Sequence, residues 1–359
     1  MVAGSPYLFV SYQQATGLVK EPYQKVLIAL AVAALLLIPL ESNEFFLRLM
    51  SMSFLAVISA VGLNLLTGYC GQLSLGHAGF MAVGAFATVM MIAHGETPFW
   101  ITVPVSCVAG ALLGLLVGLP SLRFRGIYLS IATLAMHYAI VYLLTVYQAN
   151  VGPSATAGIP IPTATLGPLK LAGEVPWYYL LLTVAAGVVV FGLNLARGRA
   201  GRAWVAIRDR EIAAAALGVE VARYKVYAFM VSAGLAALAG SLGAYFTTVV
   251  TVEEFTLELA ILNIGMIIVG GMGSIVGAIF GAVFLTLLPF GIDRIFDVLP
   301  SQWRYGSAVF GVQEAAVGLC IIAFLIFEPK GLVEIYRRIA EYFERWPFRY
   351  RELQAQGRR

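Results

Sequence analysis

Charged residues are scarce in this 359-residue chain. Lys, Arg, Asp and Glu make up 12% of it, whereas hydrophobic residues make up 60%, and the mean hydropathy is +0.87. Soluble domains carry about 25% charged residues, so the composition excludes an ordinary soluble domain. The net charge of +4 comes from loop and C-terminal Lys and Arg. It gives no sign of a basic face for nucleic acid.

Residues for metal binding or catalysis are also few. Three cysteines and three histidines lack metal-ligand spacing: Cys70, Cys107, Cys320, His77, His94 and His137. The motifs G-x-x-x-x-G-K-[ST], G-x-S-x-G and H-E-x-x-H do not occur. The sequence therefore predicts no metal site and no cofactor, and it disfavours an enzyme. Any ATP-driven step would need another subunit.

Long apolar runs fill most of the chain. They lie at residues 24–40, 48–66, 76–93, 99–119, 127–148, 177–196, 224–246, 257–271, 275–290 and 305–327. Their length and hydropathy predict an all-α fold, a polytopic membrane helix bundle with eight to ten transmembrane helices.

Basic residues predict which ends of these helices face the cytoplasm. Arg123, Arg125, the cluster within 197–225 and the C-terminal tail all fall on one side of a ten-crossing bundle. The predicted division is a cytoplasmic segment 1–23, a transmembrane domain 24–328 with a cytoplasmic loop at about 197–223, and a cytoplasmic tail 329–359. The Pro- and Gly-rich connection 149–176 should lie outside, capping the outer mouth or touching a delivery protein.

Residues 202–218 form a charged, Ala-rich amphipathic stretch between two apolar runs. Asp209 is the predicted N-cap of a helix of about two turns, and Gly218 is the predicted stop. A short water-facing helix in so apolar a chain indicates a coupling helix that a separate ATPase grips; an ordinary basic loop is the alternative. The candidate coupling residues are Arg208, Asp209, Glu211, Ala214 and Gly218. The basic cluster consists of Arg197, Arg199, Arg202, Arg208, Arg210, Arg223 and Lys225.

Polar residues of the membrane zone concentrate in the glycine-rich segment 62–80, which predicts a broken helix. Its pattern of Gly71, Ser74 and Ala78 recurs 200 residues later at Gly271, Ser274 and Ala278. Freed amides at such a break can bind a carboxylate. The candidate pathway residues are Asn64, Thr67, Gln72, Ser74, His77 and Ser274. For each, helix capping or interhelical hydrogen bonding is the alternative interpretation.

Several motifs together resemble the LivM-type permeases of branched-chain amino acid ABC importers, over about residues 55–335. They are Gly62–Phe80, Arg125–Leu134, Arg208–Gly218, Arg223–Phe229, Val269–Ser274 and Phe327–Leu332. The chain departs from the family pattern at Ala135–Val141, where an acidic and a basic residue are missing, and in the outer loop near Val151.

The resemblance implies a multi-pass inner-membrane subunit that carries no catalysis itself. It implies two ATP-binding subunits, a second, LivH-like permease and a periplasmic substrate-binding protein as partners, in contact with lipid and not with nucleic acid. The expected substrates are branched-chain amino acids or similar small carboxylates and amides. Urea, short amides or aromatic acids are alternative substrates, and a self-sufficient secondary transporter or channel is the alternative mechanism.

Overall fold

The computed structural model describes residues 22–41, 43–95, 97–124, 126–151, 158–166, 169–298, 306–328, 330–335 and 338. Most of the predicted segments 1–23 and 329–359 lie outside the described residues. The described helices are α1 (Pro22–Glu41), α2 (Glu44–Leu63), α3 (His77–Gly95), α4 (Phe99–Gly118), α5 (Ile127–Val151), α6 (Glu174–Arg197), α7 (Arg199–Ala216), α8 (Val221–Thr247), α9 (Leu257–Gly270), α10 (Ile275–Val298) and α11 (Gly306–Phe327).

The predicted membrane helix bundle is confirmed. Within the described residues, seven helices are long and apolar enough to cross a membrane, namely α2 to α6, α8 and α10. Each predicted apolar run coincides with a helix along nearly its whole length, including the runs of α1, α9 and α11. At 14 residues, α9 rises about 21 Å at 1.5 Å per residue, which is less than a hydrocarbon core of about 30 Å.

Helix α8 lies at the centre of the bundle and packs against α2, α3 and α4. Glycines make these approaches close. Added Cβ atoms at Gly84 of α3 and Gly240 of α8 would overlap the carbonyl oxygens of Ala237 and Met81. Along α4, Gly110, Gly114 and Gly118 lie against α8. Small residues thus allow backbone contact where larger side chains would separate the helices.

The predicted break after α2 is present. The helix continues from Leu63 through a wider π-helical turn, Asn64–Tyr69, and a non-helical stretch then leads to α3. His77, the first residue of α3, lies beside Ser59. Ser59 precedes Tyr69 by ten residues, or about 15 Å of helix. The stretch 70–76 therefore turns back into the bundle before the helix resumes.

The second break lies between α9 and α10. Gly271 and Gly273 have positive φ angles of 118° and 81°, and α10 begins at Ile275. Gly277 and Gly281 of α10 lie against the backbone of α9 near Gly270. The two helices therefore form a close hairpin. Both copies of the sequence repeat are breaks between helices, as the pattern predicts.

Short strands fold part of the outer loop onto the end of α8. Strand β1 (Ile159–Pro160) pairs antiparallel with β4 (Val249–Val250), and β2 (Thr165–Leu166) pairs with β3 (Leu169–Lys170). The amide of Val252 donates to Oε1 of the buried Gln148 at the end of α5, at 2.9 Å. This loop accordingly covers one end of the bundle. Residues 152–157 and 167–168 of the predicted 149–176 connection lie outside the described residues.

Helix α7 begins earlier than predicted and has a bend that the sequence did not predict. It begins at Arg199 rather than after Asp209, and Arg210 interrupts it with an extended backbone (φ −153°, ψ 95°). The assignment of Asp209 as N-cap is therefore wrong, because the extended residue between the two halves is Arg210. The predicted stop is confirmed: Gly218 has φ 86°, and the amide of Val219 donates to the Ala214 carbonyl at 3.0 Å.

Candidate functional site

Three segments that are distant in sequence meet at the end of the bundle where α7 lies, which we call the inner end. They are the first break (residues 64–76), the second break (residues 271–274) and Arg208 of α7. The guanidinium of Arg208 donates from Nη1 to the Gly68 carbonyl. An added Cβ at Gly273 would lie 2.7 Å from the same nitrogen.

Asn64 joins the two breaks directly. Its Nδ2 donates to the Ser274 carbonyl at 2.8 Å, and its Oδ1 accepts from the Gly273 amide at 2.9 Å. Asn64 is fully buried. One amide side chain therefore bonds to a backbone donor and a backbone acceptor of the second break, where the Ser274 carbonyl also accepts from the Ala278 amide at 3.0 Å.

The C-terminal motif packs against the second break. An added Cβ at Gly271 would lie 2.6 Å from the Lys330 carbonyl, and Gly331, with φ 73°, approaches the backbone of Val269 to Gly271. The Phe327–Leu332 motif thus lies beside Val269–Ser274. Two motifs of the sequence resemblance are neighbours in space.

One side of α7 is anchored to α8. Nε1 of the buried Trp204 donates to the Tyr224 carbonyl at 2.8 Å, and its ring stacks on Tyr227. Nζ of Lys225 lies 2.9 Å from Oε1 of Glu211, and the Lys225 side chain is 1% exposed. Lys225 is thus a buried member of the basic cluster. The ion pair offsets the cost of burying this charge.

The other side of α7 is exposed and partly apolar. Ile212 is 80% exposed and Leu217 is 85% exposed, and the charged side chains of Asp209 and Arg210 are exposed beside them. Of the predicted coupling residues, Arg208, Asp209 and Gly218 are exposed. Arg208, Glu211 and Ala214 contact the rest of the chain or are buried.

Four predicted pathway residues make hydrogen bonds around the breaks. Thr67 Oγ1 donates to the Gln72 carbonyl at 3.1 Å, and Ser74 Oγ accepts from the Gly76 amide at 3.4 Å. Ser274 Oγ accepts from the Gly277 amide at 3.1 Å, which caps α10. His77 Nε2 lies 3.0 Å from Ser59 Oγ. These bonds fit the capping and packing roles considered above.

Two atoms of the predicted set remain unpaired. Oε1 of Gln72 and Nδ1 of His77 are buried and have no hydrogen-bond partner in the part of the chain that the structure describes. Buried polar atoms usually have a partner, so these two are exceptions among the predicted pathway residues.

Comparison with known proteins identifies the family. The family model of branched-chain amino acid transport system permease components matches residues 45–313. The chain belongs to this family. It is 31% identical to the high-affinity branched-chain amino acid transport system permease protein LivM of Escherichia coli (strain K12), over 80% of this chain and 69% of LivM. LivM of Salmonella typhimurium is 30% identical over the same shares.

A second group of relatives carries a different name. The autoinducer 2 import system permease protein LsrC of Shigella flexneri is 29% identical over 63% of this chain and 64% of LsrC. No solved structure gives a significant match. The chain is therefore a multi-pass permease component of the branched-chain amino acid transport family, and the predicted LivM-type membership is confirmed.

Several structural residues of this permease were not predicted as such. Ser59, Trp204 and Asn263 are buried and hydrogen-bonded between segments, and Ser59 Oγ donates to Asn263 Oδ1 at 2.6 Å. Ser59 and Asn263 could have been predicted, because each is a polar residue inside an apolar run. Such residues pair across helices in membranes. Trp204 gave no signal, since an aromatic residue suits an exposed amphipathic helix equally well.

Proposed function

We propose that this permease is the transmembrane subunit of an ATP-driven importer in a bacterial inner membrane. Its partners would be two ATP-binding subunits, a second, LivH-like permease and a periplasmic substrate-binding protein. Two relatives are named as the permease proteins of a transport system and of an import system, and these names support the assembly. The proposed division of the chain remains 1–23 and 329–359 in the cytoplasm, with the transmembrane domain between them.

The observation that carries the proposal is the difference between the two sides of α7. One side is anchored to α8 through Trp204 and through the Glu211–Lys225 ion pair. The opposite side exposes Ile212 and Leu217 to water. Large apolar side chains exposed on a water-facing helix are typical of a protein interface. We propose that the ATP-binding subunit docks on this surface, with Asp209 and Gly218 at its edge.

For the pathway, we propose that substrate passes both breaks on its way through the bundle. Asn64, Thr67, Ser74 and Ser274 would fix the backbone there, while Gln72 and His77 would contact the substrate. Support comes from the unpaired Gln72 Oε1 and His77 Nδ1. An amide carbonyl accepts hydrogen bonds from an ammonium group, as a zwitterionic amino acid requires.

Branched-chain amino acids are the proposed substrates, because the family description and the LivM names refer to them. The departure at Ala135–Val141 falls in the middle of α5, where Ala135, Tyr138 and Ala139 are exposed and His137 is buried. If this surface faces the pathway, urea, short amides or aromatic acids would be selected instead. The uptake measurement that closes the Discussion compares these substrates.

The docking surface is tested by placing a charge on it. Ile212→Glu and Leu217→Glu should each prevent co-purification of the ATP-binding subunit, because the carboxylate would be desolvated in the interface. The melting temperature of the isolated permease should not change, since both side chains are exposed. Ile212→Leu is the matched control and should retain the subunit. Full co-purification with both Glu variants would refute docking at this surface.

A further inference from the structure

Arg208 lies on α7, the proposed ATPase-docking helix, but its guanidinium binds the backbone of the permease itself. Its Nη1 donates to the Gly68 carbonyl. That carbonyl belongs to the π-helical turn, whose wider backbone spacing differs from that of an α-helix. The guanidinium therefore supplies a partner to the backbone at the end of α2.

The glycines around Arg208 leave room for its side chain. At Gly71, which has φ 72°, an added Cβ would lie 3.2 Å from Cβ of Arg208, and at Gly273 it would lie 2.7 Å from Nη1. A side chain at either position would push Arg208 away. Each break thus presents bare backbone to the same arginine.

The two breaks are also joined to each other, through Asn64. Asn64 bonds to Gly273 and Ser274 of the second break, while it lies four residues before Gly68 in the first. A displacement of either break would therefore displace the other. The anchors at Trp204 and Glu211 reach α8 instead, so they do not provide this connection.

We propose that Arg208 is the positioning residue that carries motion of α7 to both breaks, so that the inner end of the pathway opens and closes with the ATPase. This inference rests on the proposed docking of an ATP-binding subunit to α7. Arg208 does not touch substrate in this proposal, and it does not contribute to holding the ATPase. The contact is a physical link between two elements rather than a correlation in sequence.

The chemistry of the side chain sets the expected series of variants. A guanidinium offers several N–H donors in a rigid plane and keeps its charge. Lys retains the charge without the planar donor geometry, so it should preserve the link in part. Gln retains length and one amide, and it should lose most of the link. Arg199 is exposed at the start of the same helix, and Arg199→Gln is the matched control.

The test uses the complete importer, reconstituted in proteoliposomes with its substrate-binding protein and ATP. Substrate uptake and ATP hydrolysis are measured together, giving uptake per ATP hydrolysed. Arg208→Gln should lower this ratio at least tenfold and Arg208→Lys by less, while the amount of bound ATP-binding subunit stays at the wild-type value. Arg199→Gln should leave the ratio unchanged.

Two outcomes would overturn the proposal. An unchanged ratio in Arg208→Gln would show that the contact carries no motion, and loss of the ATP-binding subunit would show that Arg208 belongs to the docking surface. A role in folding alone would lower the yield and melting temperature of the complex without changing the ratio. ATP-independent uptake by the wild type would instead refute the proposed function.

A disulfide between α7 and the first break provides a second test. In a chain with Cys70, Cys107 and Cys320 replaced by Ser, Gly71→Cys with Arg208→Cys places two Cβ atoms 3.2 Å apart, so the two segments need to separate by about 0.6 Å to reach the usual disulfide spacing of about 3.8 Å. The reduced form should show the low ratio of Arg208→Gln, and the oxidised form should recover it because α7 is again joined to the first break. A formed disulfide without recovery would contradict the proposal.

Discussion

Lys225 shows how one residue constrains the segment that contains α7. Its ammonium group is buried in the first turn of α8, and Glu211 of α7 is its acidic partner at 2.9 Å. Because the partner belongs to the second half of α7, the pair fixes that half against the bundle. The docking surface of Ile212 and Leu217 then has a defined orientation.

Removal of this partner gives the prediction at the residue scale. Glu211→Gln should lower the free energy of unfolding by about 3–5 kcal/mol, the usual cost of breaking a buried ion pair and leaving one charge without its partner. Thermal unfolding of the purified permease in detergent measures it. The Lys225→Met, Glu211→Gln double variant should recover part of the loss, since it leaves no buried charge. A double variant less stable than Glu211→Gln alone would contradict the ion-pair account.

Individual polar residues were predictable, whereas their partners were not. The sequence indicated Asn64, His77 and Ser274 as polar positions beside glycines in an apolar segment. It did not indicate that Asn64 bonds to Ser274, 210 residues away, or that His77 meets Ser59. Periodicity assigns a residue to a face of its own helix, but contacts between helices depend on the packing of the whole bundle.

At the scale of helices, close crossings depend on single glycines. An added Cβ at Gly84 of α3 would overlap the Ala237 carbonyl of α8, whereas nothing lies within 4 Å of one at Gly187 of α6. Gly84→Ala should therefore destabilise the permease by about 1–3 kcal/mol, because the helices must move apart. Gly187→Ala is the control and should be tolerated. Equal melting temperatures for the two variants would contradict the close α3–α8 crossing.

Helices were predictable because hydrophobic length reports directly on membrane helices. The sequence also predicted both breaks and the stop of α7 at Gly218, since glycine marks positions that need a positive φ. It did not predict the bend of α7, because Arg210 carries no such mark. Its extended backbone accompanies anchors on both sides, Arg208 to the first break and Glu211 to Lys225. Tertiary contacts of this kind override a local capping preference.

Across the whole molecule, the family motifs come together at the inner end. The two breaks, Arg208 and the C-terminal turn at Gly331 are neighbours there. The repeat in the sequence predicted two similar breaks but not their meeting point. The proposed docking surface lies on the same helix as Arg208, so a docked ATP-binding subunit would lie close to the inner end of the proposed pathway. An importer powered by attached subunits requires that arrangement.

Uptake in cells tests the central claim most directly. A strain lacking the importer is complemented with this permease and its partner subunits, and uptake of labelled leucine, urea and benzoate is measured with and without depletion of ATP at a preserved ion gradient. The account predicts leucine uptake that is lost with ATP. Uptake of urea or benzoate alone would replace the substrate and keep the importer. Leucine uptake that persists without ATP would contradict the account.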